Sequence, residues 1–159
     1  MIQSTLCYLE RDDRYLMLHR VKKKNDINHD KWIGVGGKFE DRESPEDCMK
    51  REILEETGLR VRKWSYRGLV TFVSDTADTE YMHLFTVTAW EGALTDCDEG
   101  LLEWVPKKDL PSLPMWEGDR IFLDLLQRED VLFFSLKLTY EGEHLTAVER
   151  DGRPVPTVR

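Results

Sequence analysis

Three glutamates in one short segment have the spacing needed to share a helix face. Glu52, Glu55 and Glu56 lie between residues 45 and 57, and at ~100° per residue they fall on an arc roughly 100° wide. Crowded carboxylates repel one another, but a hard divalent cation such as Mg²⁺ binds to them, because it takes oxygen ligands from a few carboxylates and from substrate phosphates. The alternative interpretation is a solvated acidic helix face that holds no ligand.

Local signals define the helix that carries these glutamates. Ser44 is a favoured N-cap, and Pro45 suits the first helical position because its missing N–H would have no partner there. Gly58 fits a left-handed C-cap, so the sequence predicts a helix over about residues 45–57. Within it, Arg51 is expected to brace a glutamate through a forked, charge-assisted hydrogen bond.

The segment from Gly37 to Leu59 resembles the Nudix box, whose pattern is G-x5-E-x7-R-E-U-x-E-E-x-G-U with U aliphatic. Arg42 stands where many members of the family have glycine. The resemblance implies an α/β fold, the Nudix α/β/α sandwich with a mixed β-sheet and two main helices. It also implies hydrolysis of a nucleoside diphosphate that is linked to another group. The positions that fill the pattern are Gly37, Glu43, Arg51, Glu52, Ile53, Glu55, Glu56, Gly58 and Leu59.

Length and composition favour one globular domain over residues 1–159. The chain is 40% hydrophobic and 34% charged, with a net charge of −8. Such acidity disfavours a nucleic acid polymer as partner, so local cations and metal must attract an anionic substrate. The three cysteines have no clustered spacing and indicate neither a disulfide framework nor a zinc site. No stretch approaches ~20 apolar residues, so we expect a cytoplasmic protein without a membrane partner, as a monomer or a small homo-oligomer.

Turn signals and apolar periodicity predict several strands and a second helix. The second helix is expected at residues 116–128, after an irregular proline-rich segment at 106–114. The tail from about residue 149 to 159 is expected to fray. The predicted strands cover residues 2–10, 15–19, 31–38, 61–74, 81–90, 101–105, 131–140 and 144–148.

Residues around the box complete the expected metal and phosphate site. The resemblance implies that the Gly36 carbonyl binds the metal and that Gly37 and Lys38 lie near the phosphates. Glu99, in the acidic segment D-C-D-E-G, is a candidate base or extra ligand; the alternative is a solvated turn glutamate. Arg20 and Lys23 are candidate phosphate contacts; the alternative for the basic segment around them is a solvated loop. The expected metal ligands are Gly36, Glu52, Glu55, Glu56 and Glu99, and the expected catalytic residues are these four glutamates with Arg51.

The chemistry follows from such a site. Polyphosphate repels a nucleophilic water, and Mg²⁺, with Mn²⁺ as a substitute, would neutralise the phosphates and lower the pKa of a bound water. With a nucleoside triphosphate as substrate, attack gives the monophosphate and pyrophosphate.

Stretches outside the box resemble the family's oxidised-purine nucleoside triphosphatases, the 8-oxo-dGTP diphosphatases that act in nucleotide-pool sanitation and DNA repair. The stretches are L-H-R, K-W-I-G-V-G-G-K, G-L-V-T-F, D-E-G with L-E-W-V, and P-M-W-E-G-D. The resemblance implies that Trp116 stacks on the purine and that Asp119 bonds its edge, with Phe72 as a wall and Thr5 and Arg20 at the side. For Trp116 and Phe72 the alternative is ordinary core packing.

Two positions depart from the animal enzymes of this group. Ile33 stands where they have asparagine, and Gly118 stands where they carry a second acid, so the bacterial enzymes are more similar. Other substrates remain open: ADP-ribose, a dinucleoside polyphosphate or a 5′-triphosphorylated RNA end. A non-catalytic nucleotide-binding Nudix module is a further alternative, although such modules usually have an eroded box.

Overall fold

A computed structural model describes residues 1–156, in which nine strands form one mixed sheet that has helices on both of its faces. The helices are α1 (Pro45–Thr57), a 3₁₀-helix (Lys107–Ser112) and α2 (Glu117–Leu126). The strands are β1 (Ile2–Arg11), β2 (Arg14–His19), β3 (Trp32–Ile33), β4 (Arg60–Ser74), β5 (Glu80–Glu91), β6 (Leu101–Pro106), β7 (Phe134–Glu141), β8 (His144–Arg150) and β9 (Arg153–Val155).

The sheet has the strand order β3-β2-β1-β5-β4-β7-β8-β9, and β6 pairs with β2 outside this path. Strand β1 runs parallel to β5, and β4 runs parallel to β7. The other named pairs are antiparallel. The sheet is therefore mixed, as the sequence predicts.

Alternate residues of β1 enter two separate apolar clusters. Leu6 and Tyr8 join the cluster that contains α2, whereas Cys7 and Leu9 join the cluster that contains α1. Because successive side chains of a strand point to opposite faces, the two helices cover opposite faces of the sheet. This confirms the predicted α/β/α sandwich. Among the helices of residues 1–156, none has both the length and the apolar character needed to span a membrane.

Helix α1 begins and ends where the sequence predicts. The Ser44 hydroxyl accepts the Asp47 N–H at 3.0 Å, and the Asp47 carboxylate accepts the Ser44 N–H at 3.0 Å. This reciprocal capping box satisfies donors that the first helical turn would leave unpaired. At the other end, Gly58 has a φ of 79° and donates its N–H to the Leu54 carbonyl.

Three segments differ from the sequence prediction. Strand β3 spans only two residues, and the chain beyond it touches β1 through isolated bridges of Val35 and Lys38. The proline-rich segment forms the 3₁₀-helix. The predicted fraying from residue 149 is wrong as far as Val155, because β9 pairs with β8 and the Asp151 carboxylate accepts the Ser135 N–H at 2.9 Å. The rest of that prediction, at residues 157–159, lies outside the described residues.

The capping box of α1 yields a stability prediction. Ser44→Ala leaves the Asp47 N–H without its side-chain acceptor, so we expect the free energy of unfolding to fall by about 1 kcal/mol in urea titrations. Ser65→Ala, at an exposed position of β4, is the control and should change it by less than about 0.5 kcal/mol. Equal losses in the two variants would contradict the role of the cap.

Candidate active site

The glycine turn before α1 lies against both β1 and the helix. Gly36 has a φ of 154°, and a Cβ there would lie 2.0 Å from the Thr5 carbonyl oxygen. A Cβ at Gly37 would lie 2.5 Å from the carboxyl carbon of Glu52. The Gly36 N–H donates to Glu56 Oε2 at 2.9 Å. Only glycine allows this close approach, which places backbone atoms directly beside the helix carboxylates.

Arg51 connects the acidic side chains around the turn. Its Nε and Nη2 donate to the two carboxylate oxygens of Glu43 at 2.6 and 2.9 Å. Its Nη1 donates to Glu52 at 2.8 Å and to Glu55 at 3.1 Å, and Nη2 reaches the Lys38 carbonyl at 3.1 Å. The guanidinium holds the pKa of Glu43 below its usual range. The forked bond expected of Arg51 is therefore made to Glu43, and Arg51 also braces two glutamates of the helix.

Glu56 and Glu52 are held in surroundings that disfavour their charge. Burial raises the pKa of Glu56, and the nearby charges of Glu99 and Glu52 act in the same direction. Burial also raises the pKa of Glu52, against the effect of Arg51. A cation stabilises a cluster of carboxylates that is partly buried and mutually repelling, and the all-oxygen donor set of this cluster suits Mg²⁺.

The carboxylates of this cluster do not point to one common position where a metal ion could bind. Within residues 1–156, no three acidic, histidine or cysteine side chains form a group that could hold a metal ion. The contacts explain this, because Arg51 draws Glu52 and Glu55 to itself while Glu56 accepts the Gly36 N–H. Metal binding at this site therefore requires the carboxylates to exchange those hydrogen bonds for ligand bonds.

An aromatic cluster lies on the other face of the sheet, against α2. The Phe72 ring stacks on Tyr140 with centroids 4.9 Å apart, and Trp116 meets both rings edge-on at 5.5 and 5.2 Å. Burial raises the pKa of the Tyr140 hydroxyl, and Asp119 lies close enough for its charge to act in the same direction. The cluster provides the aromatic surface and the carboxyl group that a purine-binding pocket needs.

Trp116 is in close contact on several sides. It is only 7% exposed and belongs to the α2-side core. Lys31 Nζ lies 4.8 Å from the centre of its ring, and its Nε1–H donates to Asn28 Oδ1 at 2.7 Å. The packing interpretation and the pocket interpretation of this residue are thus compatible. A base that stacks on the indole must share its exposed surface with Lys31.

The structure shows the surroundings of three further residues that the sequence predicts at the substrate site. The Thr5 hydroxyl lies 3.5 Å from Cys48 Sγ, on the α1 face and away from the aromatic cluster. Arg20 directs its guanidinium to carboxylates, one of them Glu99 at 3.0 Å. The side chain of Lys38 is exposed, and the residue enters the site through its carbonyl oxygen.

Sequence reasoning assigned no role to several residues of the two clusters. Glu43, the forked partner of Arg51, could have been identified from its fixed place in the box. Tyr140, Asn28 and Lys31, which surround Trp116, carry no local signal. Their positions depend on strand pairing and on the path of a loop, which only the folded chain defines.

Asp119 yields a prediction about pH and stability. Burial raises its pKa from the ordinary 3.8 to about 8, against the charges of Arg120 and Lys31. Below about pH 4 the carboxyl is protonated in both states, but between pH 4 and 8 only the unfolded state ionises freely. The unfolded state is therefore favoured as pH rises, by up to about 1.4 kcal/mol per pH unit.

Asp119→Asn removes this titration while it keeps the size of the side chain. We expect the variant to gain stability relative to the wild type as the pH is raised from 5 to 7, measured by urea unfolding at each pH. A stability difference between the variant and the wild type that stays constant across this range would contradict a raised pKa of the buried Asp119 carboxyl.

Comparisons with known proteins bear on this site. The NUDIX domain family matches residues 2–126. A Bacillus subtilis (strain 168) protein named "uncharacterized Nudix hydrolase YvcI" is 32% identical over 148 residues, which cover 89% of this chain and 90% of the relative. The oxidized purine nucleoside triphosphate hydrolase of Danio rerio is 33% identical over 106 residues, which cover 65% of this chain and 67% of the relative.

Solved structures agree with the sequence relatives. A crystal structure of a MutT protein from Bacillus halodurans superposes with a TM-score of 0.80 at 28% identity, covering 97% of this chain and all of that chain. The family match includes the glycine turn, α1, the loop that carries Glu99 and all of α2. The chain therefore belongs to the Nudix family of hydrolases, whose members use divalent metal ions and act on nucleotides.

Proposed function

We propose that this protein is a Mg²⁺-dependent nucleoside triphosphate pyrophosphohydrolase that converts 8-oxo-dGTP to 8-oxo-dGMP and pyrophosphate. One observation carries the proposal: a cluster of carboxylates suited to a metal and phosphates is bonded, through one loop, to an aromatic cluster with a buried carboxyl. The first cluster suits the polyphosphate of a nucleotide, and the second suits its base. The product would leave the pool of DNA precursors.

The carboxylate cluster assigns roles on the phosphate side. Glu52, Glu55, Glu56 and Glu99 would hold the cation with the Gly36 carbonyl, and Arg51 would keep the helix glutamates oriented. When bound, the metal would neutralise the phosphates and lower the pKa of an attacking water. A glutamate oxygen that is free of the metal would accept the proton of that water. The chain contributes orientation, local exclusion of water and a proton acceptor.

The aromatic cluster assigns roles on the base side. Trp116 would supply a stacking face, and Phe72 a wall. Because burial raises the pKa of Asp119 to about 8, its carboxyl is largely protonated at neutral pH and offers one donor and one acceptor. That pair matches the O6 carbonyl and the N7–H of 8-oxoguanine, whereas unoxidised guanine presents two acceptors, O6 and N7, at the same edge. The Danio rerio relative, whose name specifies oxidized purine nucleoside triphosphates, supports this choice of base.

The pocket has fewer polar groups than the resemblance to the animal enzymes implies. A Cβ at Gly118 would lie 2.5 Å from Leu138 Cδ1 and 2.8 Å from the Tyr140 hydroxyl, so an acid at that position would require both side chains to move. Ile33 packs with the apolar cluster of α1 instead of offering an amide. Asp119 would therefore carry most of the edge recognition, which favours a narrow range of oxidised purines.

A substrate panel tests the proposal. The purified protein is incubated with Mg²⁺ and with dGTP, 8-oxo-dGTP or ADP-ribose, and the products are identified by chromatography. We expect pyrophosphate and 8-oxo-dGMP, with kcat/KM for 8-oxo-dGTP at least about tenfold above that for dGTP, because one edge-specific hydrogen bond separates the two bases. Preferred release of ribose 5-phosphate from ADP-ribose would contradict 8-oxo-dGTP as the substrate and identify ADP-ribose in its place. Nucleotide binding without turnover under Mg²⁺ or Mn²⁺ would indicate a non-catalytic module.

Glu56 yields a separate prediction about catalysis. Glu56→Gln keeps the shape of the side chain and an oxygen for the Gly36 N–H, but it removes the charge that holds a metal or accepts a proton. We expect kcat to fall at least about 100-fold, with a melting temperature equal to or above that of the wild type, because a neutral amide is easier to bury. Glu141→Gln, at an exposed position of β7, is the control. Undiminished activity in Glu56→Gln would contradict the assignment.

A further inference from the structure

The loop between β2 and β3, residues 20–31, is a compact and internally bonded segment. Its ends are joined by two backbone hydrogen bonds, from the Asp30 N–H to the Arg20 carbonyl at 2.7 Å and from the Arg20 N–H to the Lys31 carbonyl at 3.0 Å. The side chains of Arg20 and Asp26 are only 14% and 8% exposed. This loop is therefore built around a shielded ion pair.

A continuous path of hydrogen bonds crosses this loop from Glu99 to Trp116. Arg20 Nη1 donates to Glu99 Oε2 at 3.0 Å, and Arg20 Nε donates to Asp26 Oδ2 at 2.6 Å. The other carboxylate oxygen of Asp26 accepts the Asn28 N–H at 3.0 Å. Asn28 Oδ1 then accepts the Trp116 Nε1–H at 2.7 Å. All four hydrogen bonds are partly buried, and Asn28 itself links the last two through its backbone and its side chain.

We propose that Arg20, Asp26 and Asn28 are positioning residues that couple base recognition at Trp116 to the placement of Glu99. The proposal rests on the proposed function, because it assumes that the base lies at Trp116 and the reacting phosphates lie at the carboxylate cluster. A base that seats well leaves the indole N–H on Asn28 and so keeps Glu99 in place. A base that displaces the indole loosens the whole path.

The geometry of Arg20 makes such coupling physically reasonable. A guanidinium is planar and rigid, so Nε and Nη1 cannot follow Asp26 and Glu99 independently when one of them moves. Charge-assisted hydrogen bonds between shielded groups are also stronger than neutral ones. The path therefore transmits a displacement, where a chain of exposed contacts would absorb it. It also explains why Arg20 is not free to contact the phosphates directly.

The first experiment separates turnover from affinity. Trp116→Phe removes the indole N–H but keeps an aromatic face, and Asn28→Ala removes its acceptor. We expect each variant to lower kcat about five- to tenfold, as the loss of one hydrogen bond predicts, and the double variant to be no worse than either single one. Asn28→Asp, which keeps an acceptor oxygen, should restore kcat. A Trp116→Phe variant that changes KM alone, with additive effects in the double variant, would overturn the coupling.

The second experiment reads the same path without turnover. Mn²⁺ is titrated into the nucleotide-free protein by calorimetry, and the Kd is compared among the wild type, Trp116→Phe and Asn28→Ala. We expect the Kd to rise about threefold or more in both variants, because Glu99 loses part of its orientation. Lys24→Ala, an exposed change within the same loop, is the control and should match the wild type. Unchanged Mn²⁺ affinity in both path variants would overturn the proposal.

The two experiments distinguish the coupling from the proposed function. If the wild type hydrolyses no nucleoside triphosphate, the proposed function fails, and the Mn²⁺ titration still decides whether Trp116 and Glu99 are linked. If the wild type is active but the path variants are indistinguishable from it in both kcat and Mn²⁺ affinity, the coupling fails and the proposed function stands.

Discussion

The guanidinium of Arg51 balances the charge on which the whole site depends. It bonds to the carboxylates of Glu43, Glu52 and Glu55 and to the Lys38 carbonyl, so helix α1 and the segment before it are held by one cation. Without it, the carboxylates would repel one another in a half-buried place where repulsion is poorly screened. The arrangement keeps the acidic groups together at the place where the proposed metal ion and phosphates would bind.

Strand β1 connects the two faces of the sheet on which the carboxylate cluster and the aromatic cluster lie. Because its side chains alternate between the α1 and α2 faces, one strand supports the carboxylate cluster on one side and the aromatic cluster on the other. The loop that leaves β2 bonds to both clusters, through Arg20 to Glu99 and through Asn28 to Trp116. The fold thus places the carboxylate cluster and the aromatic cluster on opposite faces of the sheet, and this short loop connects them.

Local chemistry explains what could be predicted. The bounds of α1 follow from a cap, a proline and a glycine within the helix segment itself, and the alternation in β1 follows from a half-buried strand. Predictions failed where partners were distant in sequence. The chain beyond residue 149 pairs because β9 adds to the edge of β8 that β7 leaves open, and on the other side Asp151 accepts the Ser135 N–H of β7. Strand β3 is short because the glycine turn leaves it to approach β1.

The sequence by itself determined the family, the acidic helix and the types of residue that can hold a metal. These depend on short spacings, which a linear pattern records directly. Only the tertiary structure decided that Thr5 faces Cys48, that Arg20 bonds to Asp26 and Glu99, and that Trp116 is covered by the loop. Those outcomes depend on which strands pair, on the face of the sheet on which each side chain lies and on the path of the loop between β2 and β3. A displacement of one residue in the pairing of β1 would turn Thr5 to the other face.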